Sequence, residues 1–314
     1  MLLLLGGPTH GAEGTGARRR QELQPPHATP ADRLVLPRQS VERMVQLGAS
    51  PAWYNIDSFV VPRGEASAPV NFNHSHQASR RRRVGLVSSS EPQRAALIWL
   101  HGVLPAYAEM AGGDSGRSAA IPLPSEVVVE RPWAQELLCT WLEWTPAKAW
   151  FDVSTSKNYS QLATPYTEGA LATSMALVDG LVERLLADGV PERRIVVGGF
   201  SMGAALALHY ALHSVHRSSL AGALSWSGYP FNYSGVSWGA DERKPVLRLM
   251  HGTADETVPL EWGRAAAALA ADRGVSDIGF TTFGEGLSHI GAVANEHVLR
   301  QAGAAVVEIL EQGG

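Results

Sequence analysis

The sequence predicts an α/β fold with a mostly parallel central sheet and helices on both faces. Three observations carry this expectation. From residue 95 onward, apolar runs of strand length alternate with segments of helical spacing. The runs Ala95–Leu100 and Ile195–Gly198, the latter within the strand expected at 194–198, are apolar continuously rather than at every second residue, as strands buried on both faces are. The stretch Ala204–Leu212 is apolar nearly all round, as a buried helix is. With 45% hydrophobic residues in 314, the chain has enough apolar material for a sizeable core.

The elements follow in order. Met1 to Leu5 is apolar but breaks at Gly6-Gly7-Pro8, and Arg18, Arg19 and Arg20 come after it. A secretory segment has its basic residues first and an apolar run of roughly 7–15 residues, so no cleavable signal is expected. Glu13, Glu22 and Asp32 weigh against a transit peptide. Residues 1–40 are rich in Gly, Pro, Ala and Arg without periodicity. The expected organisation is a disordered or weakly structured tail over 1–50 and a single domain over 51–314. Asp57–Val61 reads as an early strand. Arg80–Arg83 reads as a solvated run, with contact to an acidic membrane or a nucleic acid as the alternative. Strands are expected at 95–100, 127–129, 194–198, 221–225, 246–250 and 278–283. Leu171, Met175, Val178, Val182 and Leu185 predict a helix over 168–188, stopped by Gly189 and Pro191. Further helices are expected at 260–273 and 292–311. No internal repeat is visible.

Composition narrows the function classes. A net charge of −4 gives no whole-protein case for nucleic acid. No stretch of the sequence approaches the roughly 20 apolar residues of a membrane span. The single Cys139 rules out an intramolecular disulfide or a multi-cysteine metal site and is compatible with a cytoplasmic protein. No metal or cofactor is expected.

Two segments fit G-x-S-x-G: Gly199-Phe200-Ser201-Met202-Gly203 and Gly235-Val236-Ser237-Trp238-Gly239. Context separates them. A nucleophile elbow is a tight strand-to-helix turn, and Ser201 lies between a predicted strand and an apolar helix. Ser237 lies between Tyr233-Ser234 and the charged run Asp241–Lys244 and reads as a surface loop. An ordinary helix cap at Ser201 would not explain its two flanking glycines.

A serine nucleophile needs a general base, and a histidine base needs a carboxylate to fix its tautomer. In α/β-hydrolases these follow the serine in the order acid, then His. Asp255 follows the strand at 246–250 and is the expected acid, with Glu256 as the fallback. His289 lies in the Gly-rich loop after the strand at 278–283 and is the expected base; His297 falls inside the last helix. The oxyanion requires backbone N–H donors. Met202, after the nucleophile, is expected to give one and Val103 the other. His101 is expected to buttress that loop rather than act as a second base.

Two clusters stand apart. His209, His213 and His216 have a spacing that suits a metal, but no acidic partner or H-E-x-x-H pattern accompanies them, and a helix-face role is expected. Trp133, Trp141, Trp144 and Trp150 crowd one segment and read either as core or as the wall of an acyl-chain site.

Leu100-His101-Gly102, Trp150-Phe151-Asp152, Arg194–Leu206 and Leu249–Pro259 together resemble the phospholipase/carboxylesterase family, whose best-known members are the acyl-protein thioesterases or lysophospholipases. The resemblance covers roughly residues 95–311. It implies an α/β-hydrolase fold, a Ser201–Asp255–His289 triad and hydrolysis of an acyl ester or thioester through an acyl-serine. The substrates it implies are S-acylated proteins, lysophospholipids or small acyl esters. The chain departs from the family at Val103–Tyr107, where many members continue with Gly, Asp and Gly. It also departs in the length of 104–126 and at Met202, where Gln is common.

Overall fold

The structure is a computed structural model and describes residues 94–110, 113–231, 235–284 and 286–314. The expectations for the N-terminal tail, the strand Asp57–Val61 and the run Arg80–Arg83 lie outside the described residues. Nine strands are described: β1 (Ala95–Leu100), β2 (Leu104–Pro105), β3 (Val127–Glu130), β4 (Glu136–Cys139), β5 (Thr145–Lys148), β6 (Ile195–Phe200), β7 (Gly222–Trp226), β8 (Val246–Gly252) and β9 (Ile278–Phe283). The α-helices are α1 (Ala106–Met110), α2 (Thr167–Ala187), α3 (Met202–His213), α4 (Leu260–Asp272) and α5 (Glu296–Gly313).

Six strands form one parallel sheet in the order β3-β1-β6-β7-β8-β9. The continuous apolar runs are explained by this arrangement. In β1, Ala96, Ile98 and Leu100 face the core shared with α2 and α3, while Ala95, Leu97 and Trp99 face the core shared with α5. Every residue of β1 and β6 is buried. Helix α4 packs on the same face as α3, through Ala266 and Ala270 against Leu247 and Leu249. Helices therefore cover both faces, three on one and α5 on the other. Helix α3 is buried at every position except His213, which accounts for its all-round apolar sequence. Helix α5 instead buries a stripe at Val298, Leu299, Ala302, Val306, Ile309 and Leu310.

Most boundaries fall within two residues of the expectation, and the shifts in β6 and α5 have local reasons. β6 runs on through Gly199 and Phe200, which pair with Ser225 and Trp226 of β7. α5 starts later than expected because Gly291–Ala294 forms a 3₁₀ turn and Asn295 caps the helix, accepting from the N–H groups of His297 and Val298.

The alternation of elements does not predict a second sheet, which is antiparallel with the order β2-β5-β4. Its strands are two to four residues long and two of them contain proline, Pro105 and Pro146. Among the described residues, no helix is long and apolar enough to cross a membrane.

Candidate active site

The C-terminal ends of β1, β6 and β8 and the loop after β9 converge on one cavity of about 380 Å³. Ser201 sits at the tip of β6. Its N–H donates to the Trp226 carbonyl (2.9 Å), prolonging the β6–β7 ladder, and its own carbonyl accepts from Ala205 in the first turn of α3 (3.1 Å). One residue thus ends a strand and starts a helix. Its backbone has φ 55° and ψ −119°, a conformation that costs a non-glycine residue on the order of 1–3 kcal/mol. The flanking glycines make the turn sterically feasible. A Cβ on Gly199 would lie 2.5 Å from the Gly203 carbonyl carbon, and one on Gly203 would lie 2.5 Å from the His101 carbonyl oxygen.

Asp255 stands in the loop after β8. Its Oδ1 accepts from the N–H groups of Thr257 (3.1 Å) and Val258 (2.8 Å), and its Oδ2 lies 2.7 Å from His289 Nδ1. Burial works to raise this carboxyl. The hydrogen bond and charge of His289, together with the Val258 N–H, outweigh it and hold Asp255 below the usual carboxylate range. An ionised Asp255 accepts at Nδ1, so the His289 proton sits there and Nε2 carries the lone pair. Phe200 packs against the imidazole with ring centroids 4.6 Å apart. Ser201 and His289 line the same cavity, and both are buried.

A second buried histidine, His251, braces the acid loop. Its Nε2 lies 2.8 Å from the Val258 carbonyl, and desolvation lowers its pKa despite that bond and the nearby Asp255. Gly263 of α4 lies against the ring, where a Cβ would come within 3.1 Å of Cε1. The sequence reading missed this brace; its signal was the His251-Gly252 pair, the counterpart of His101-Gly102.

Val103 and Met202 both line the cavity. Met202 is the first residue of α3, and N–H groups at a helix start have no partner within the helix. Glu256 is exposed at the cavity edge, so the structure brings Asp255 rather than Glu256 to His289. His297 is exposed in the first turn of α5. Ser237 is exposed in a loop, and its carbonyl accepts from Arg217.

The four tryptophans separate. Trp141 lines the cavity with Leu142, Val153, Tyr229, Val258 and Trp262. Trp150 is buried, and its Nε1 donates to the His101 carbonyl (2.7 Å). Trp133 holds Arg117 over its ring at 4.3 Å, and Trp144 packs edge-on against Tyr166. Of the four, Trp141 alone is among the residues lining the cavity, so the two readings of this cluster, core and acyl wall, divide among its members. Trp133 and Trp144 are spent on partners of their own, and Trp150 on the loop that follows β1. Asp152 fixes the turn carrying Trp141 and Leu142: its carboxylate accepts from the Thr140 N–H (2.7 Å) and from the hydroxyls of Thr140 (2.6 Å) and Thr164 (2.8 Å). Trp262 was not singled out in the sequence because it lies on α4, where a tryptophan at helical spacing reads as core.

The histidines of α3 and its C-terminal end are engaged in two places. His209 Nδ1 bonds the Phe231 carbonyl (3.1 Å) and its ring stacks on His213, while His216 Nδ1 pairs with Glu192 (2.7 Å). No group of three or more His, Cys, Asp or Glu among the described residues could hold a metal ion.

The sequence profile of the Phospholipase/Carboxylesterase family matches residues 83–290. Acyl-protein thioesterase 1 of Eremothecium gossypii is 33% identical over 190 residues, a match covering 56% of this chain and 72% of that protein. Acyl-protein thioesterase 1 homolog 2 of Dictyostelium discoideum is 32% identical over 132 residues, covering 42% of this chain and 57% of that one. The crystal structure of Arabidopsis thaliana SOBER1 superposes with a TM-score of 0.55 at 24% identity, over 69% of this chain and 99% of that one. That of Zea mays acyl-protein thioesterase 2 gives 0.54 at 23%, over 71% and 97%. These two likenesses carry the fold.

Proposed function

Because the chain belongs to the phospholipase/carboxylesterase family and is an acyl ester or thioester hydrolase, we propose that Ser201, His289 and Asp255 are its catalytic triad. The observation that carries this reading is the strained Ser201 sharing a buried cavity with a histidine whose Nδ1 is held by a buried carboxylate. His289 Nε2 takes the Ser201 proton as Oγ attacks the acyl carbonyl. The N–H groups of Val103 and Met202 stabilise the oxyanion. The protonated His289, steadied by Asp255, then gives its proton to the departing thiol or alcohol and leaves an acyl-Ser201. Water, deprotonated by His289, attacks this ester. The second oxyanion collapses, the carboxylic acid leaves and Ser201 recovers its proton. Water is the co-substrate, and the nucleophile, the proton transfers and the oxyanion donors come from the chain's own residues.

The acyl group is proposed to lie against Trp141, Leu142, Val153, Leu162, Tyr229 and Trp262. S-acylated proteins and lysophospholipids are the proposed substrates, supported by the names of the relatives. A small-ester carboxylesterase is the second reading, favoured by the departure after Gly102, since Pro105 and Tyr107 also line the cavity. The described residues are proposed to form one catalytic domain. A cytoplasmic place belongs to the same proposal and rests on the single-cysteine composition.

The test is kcat/KM for acetyl through palmitoyl esters and for thioesters of the same acyl groups. An acyl wall predicts a rise of up to about fourfold per methylene, from roughly 0.8 kcal/mol each, until the cavity ends. A flat or falling profile selects the small-ester reading. No turnover of either series removes the proposal.

A further inference from the structure

The residue before Gly102 does more than fill space. His101 is completely buried between Trp133 and Trp150, each ring centroid 5.1 Å from its own. Its two ring nitrogens face different backbone groups. The Ala134 N–H donates to Nε2 (3.0 Å), so Nε2 carries the lone pair. Nδ1 lies 2.5 Å from the Gly102 carbonyl oxygen, which only accepts, so the ring's single proton sits on Nδ1 and points at that oxygen. Desolvation lowers the His101 pKa to about 4, which keeps the ring neutral with one proton to place.

The Gly102 carbonyl and the Val103 N–H belong to one peptide unit. In a planar trans peptide they point in opposite directions. Holding the carbonyl toward the buried imidazole turns the Val103 N–H away from it, and Val103 lines the cavity. The units on either side are fixed as well: Ser115 Oγ donates to the Val103 carbonyl of the next unit (2.8 Å), and the Ser115 carbonyl accepts from the Gly102 N–H of the preceding one (2.9 Å). We infer that His101, as the Nδ1-protonated tautomer, is a positioning residue that orients the Gly102–Val103 peptide so that its N–H serves the oxyanion hole. The inference rests on the proposed hydrolytic role of Ser201. It goes beyond that role by assigning a second histidine a fixed tautomer and a function in transition-state stabilisation.

The alternative is a ring that only fills the space under the loop. His101→Leu fills that space but lacks the donor. His101→Asn keeps an amide N–H near the position of Nδ1. The expected result for His101→Leu is a 10- to 100-fold fall in kcat with KM changed less than threefold, and an equal loss of affinity for a trifluoromethyl ketone carrying the same acyl chain. His101→Asn is expected to recover most of both. Melting temperatures separate these effects from loss of folded enzyme, and the wild-type ring is read directly by ¹⁵N NMR of labelled histidine. A ring protonated on Nε2, or a His101→Leu enzyme whose rate falls only with its folded fraction, overturns the inference. So does a His101→Asn enzyme as poor as His101→Leu at equal folded fraction. If His101→Leu does not fold, the tautomer and the His101→Asn data decide the matter. A wild type that neither turns over acyl substrates nor is inhibited by the ketone overturns the Ser201 reading itself, whatever the tautomer.

Discussion

Two segments of this chain carry the same five-residue pattern, and the fold treats them in opposite ways. Gly199–Gly203 is buried throughout, between the sheet and α3, with Ser201 at a positive φ and carbonyl oxygens packed against both glycines. Gly235–Gly239 lies in a surface loop. A Cβ on Gly235 would meet nothing within 4 Å, and Gly239 has only Glu242 side-chain atoms nearby. Its backbone is held by side chains instead: the Gly239 N–H donates to Glu242, which Arg217 grips with two bonds. A pattern therefore acquires chemical meaning from what surrounds it. The glycines at 199 and 203 permit close backbone approach, whereas Gly235 supplies a left-handed turn.

The largest contrast is at the serines. Ser201→Ala is expected to lower kcat by about 10⁴-fold or more, and Ser237→Ala to leave it within experimental error. Steady-state kinetics with equal circular dichroism spectra checks both. Next come the groups that only the first segment recruits. His289→Ala should approach the loss at Ser201, and Asp255→Asn should cost about 10³- to 10⁴-fold by freeing the imidazole tautomer. Glu256→Gln should change kcat/KM by less than threefold. A dead Glu256→Gln beside an active Asp255→Asn would move the acid by one residue.

The glycines give the contrast in stability. Gly203→Ala forces a methyl group into the Leu100 and His101 carbonyls and should cost about 3 kcal/mol or more, beyond the usual range for overpacking because backbone must move. Gly239→Ala should fall within about 0.5 kcal/mol of wild type. Urea denaturation of the two variants measures the difference.

Acid should distinguish the two environments next. Near the elbow lie His101 and His209, each with its pKa lowered to about 4, chiefly by burial. The unfolded chain protonates them near 6.5 and the native state only near 4, so their contribution is complete above about pH 6.5 and is lost as pH falls toward 4. Each accounts for on the order of 3 kcal/mol by pH 4. The loop depends on Glu242, whose carboxyl is held below its usual range first by the Arg217 hydrogen bond and then by the Gly239 N–H, so its contribution is lost only in stronger acid. Unfolding free energy measured from pH 7 to 4 should therefore fall, and His209→Gln should flatten part of that fall. The smallest effect is at the cavity wall. Trp141→Ala should shift acyl-length preference by a few methylenes, while Trp144→Ala should lower the melting temperature and leave the preference unchanged.

The parallel sheet was legible because burial on two faces leaves a continuous apolar run, as in β1 and β6; β7 and β8 are buried at every position too, but Ser225, Arg248 and His251 interrupt their apolar runs. Positions 201, 255 and 289 were legible as candidates because each follows a strand, where a parallel sheet gathers its loops at one end. The antiparallel sheet was not. β4 and β5 are four residues each, Pro146 sits inside the second, and the turn between them places Glu143 and Trp144 at positive φ without a glycine. Its tryptophans looked alike in sequence. Their separate fates depend on partners such as Arg117 and Tyr166, which are distant in the chain or carry no motif. The bracing of loops by His101 and His251 was only half visible, since a ring's hydrogen-bond partners cannot be read from its neighbours in sequence.

The most direct test of the account is to map the adduct after the wild-type enzyme reacts with a fluorophosphonate. One adduct per chain on the peptide containing Ser201, formed in step with loss of activity, is the predicted result. An adduct on Ser237 or another residue, or full turnover with Ser201 unmodified, would contradict the claim that the strained elbow carries the nucleophile.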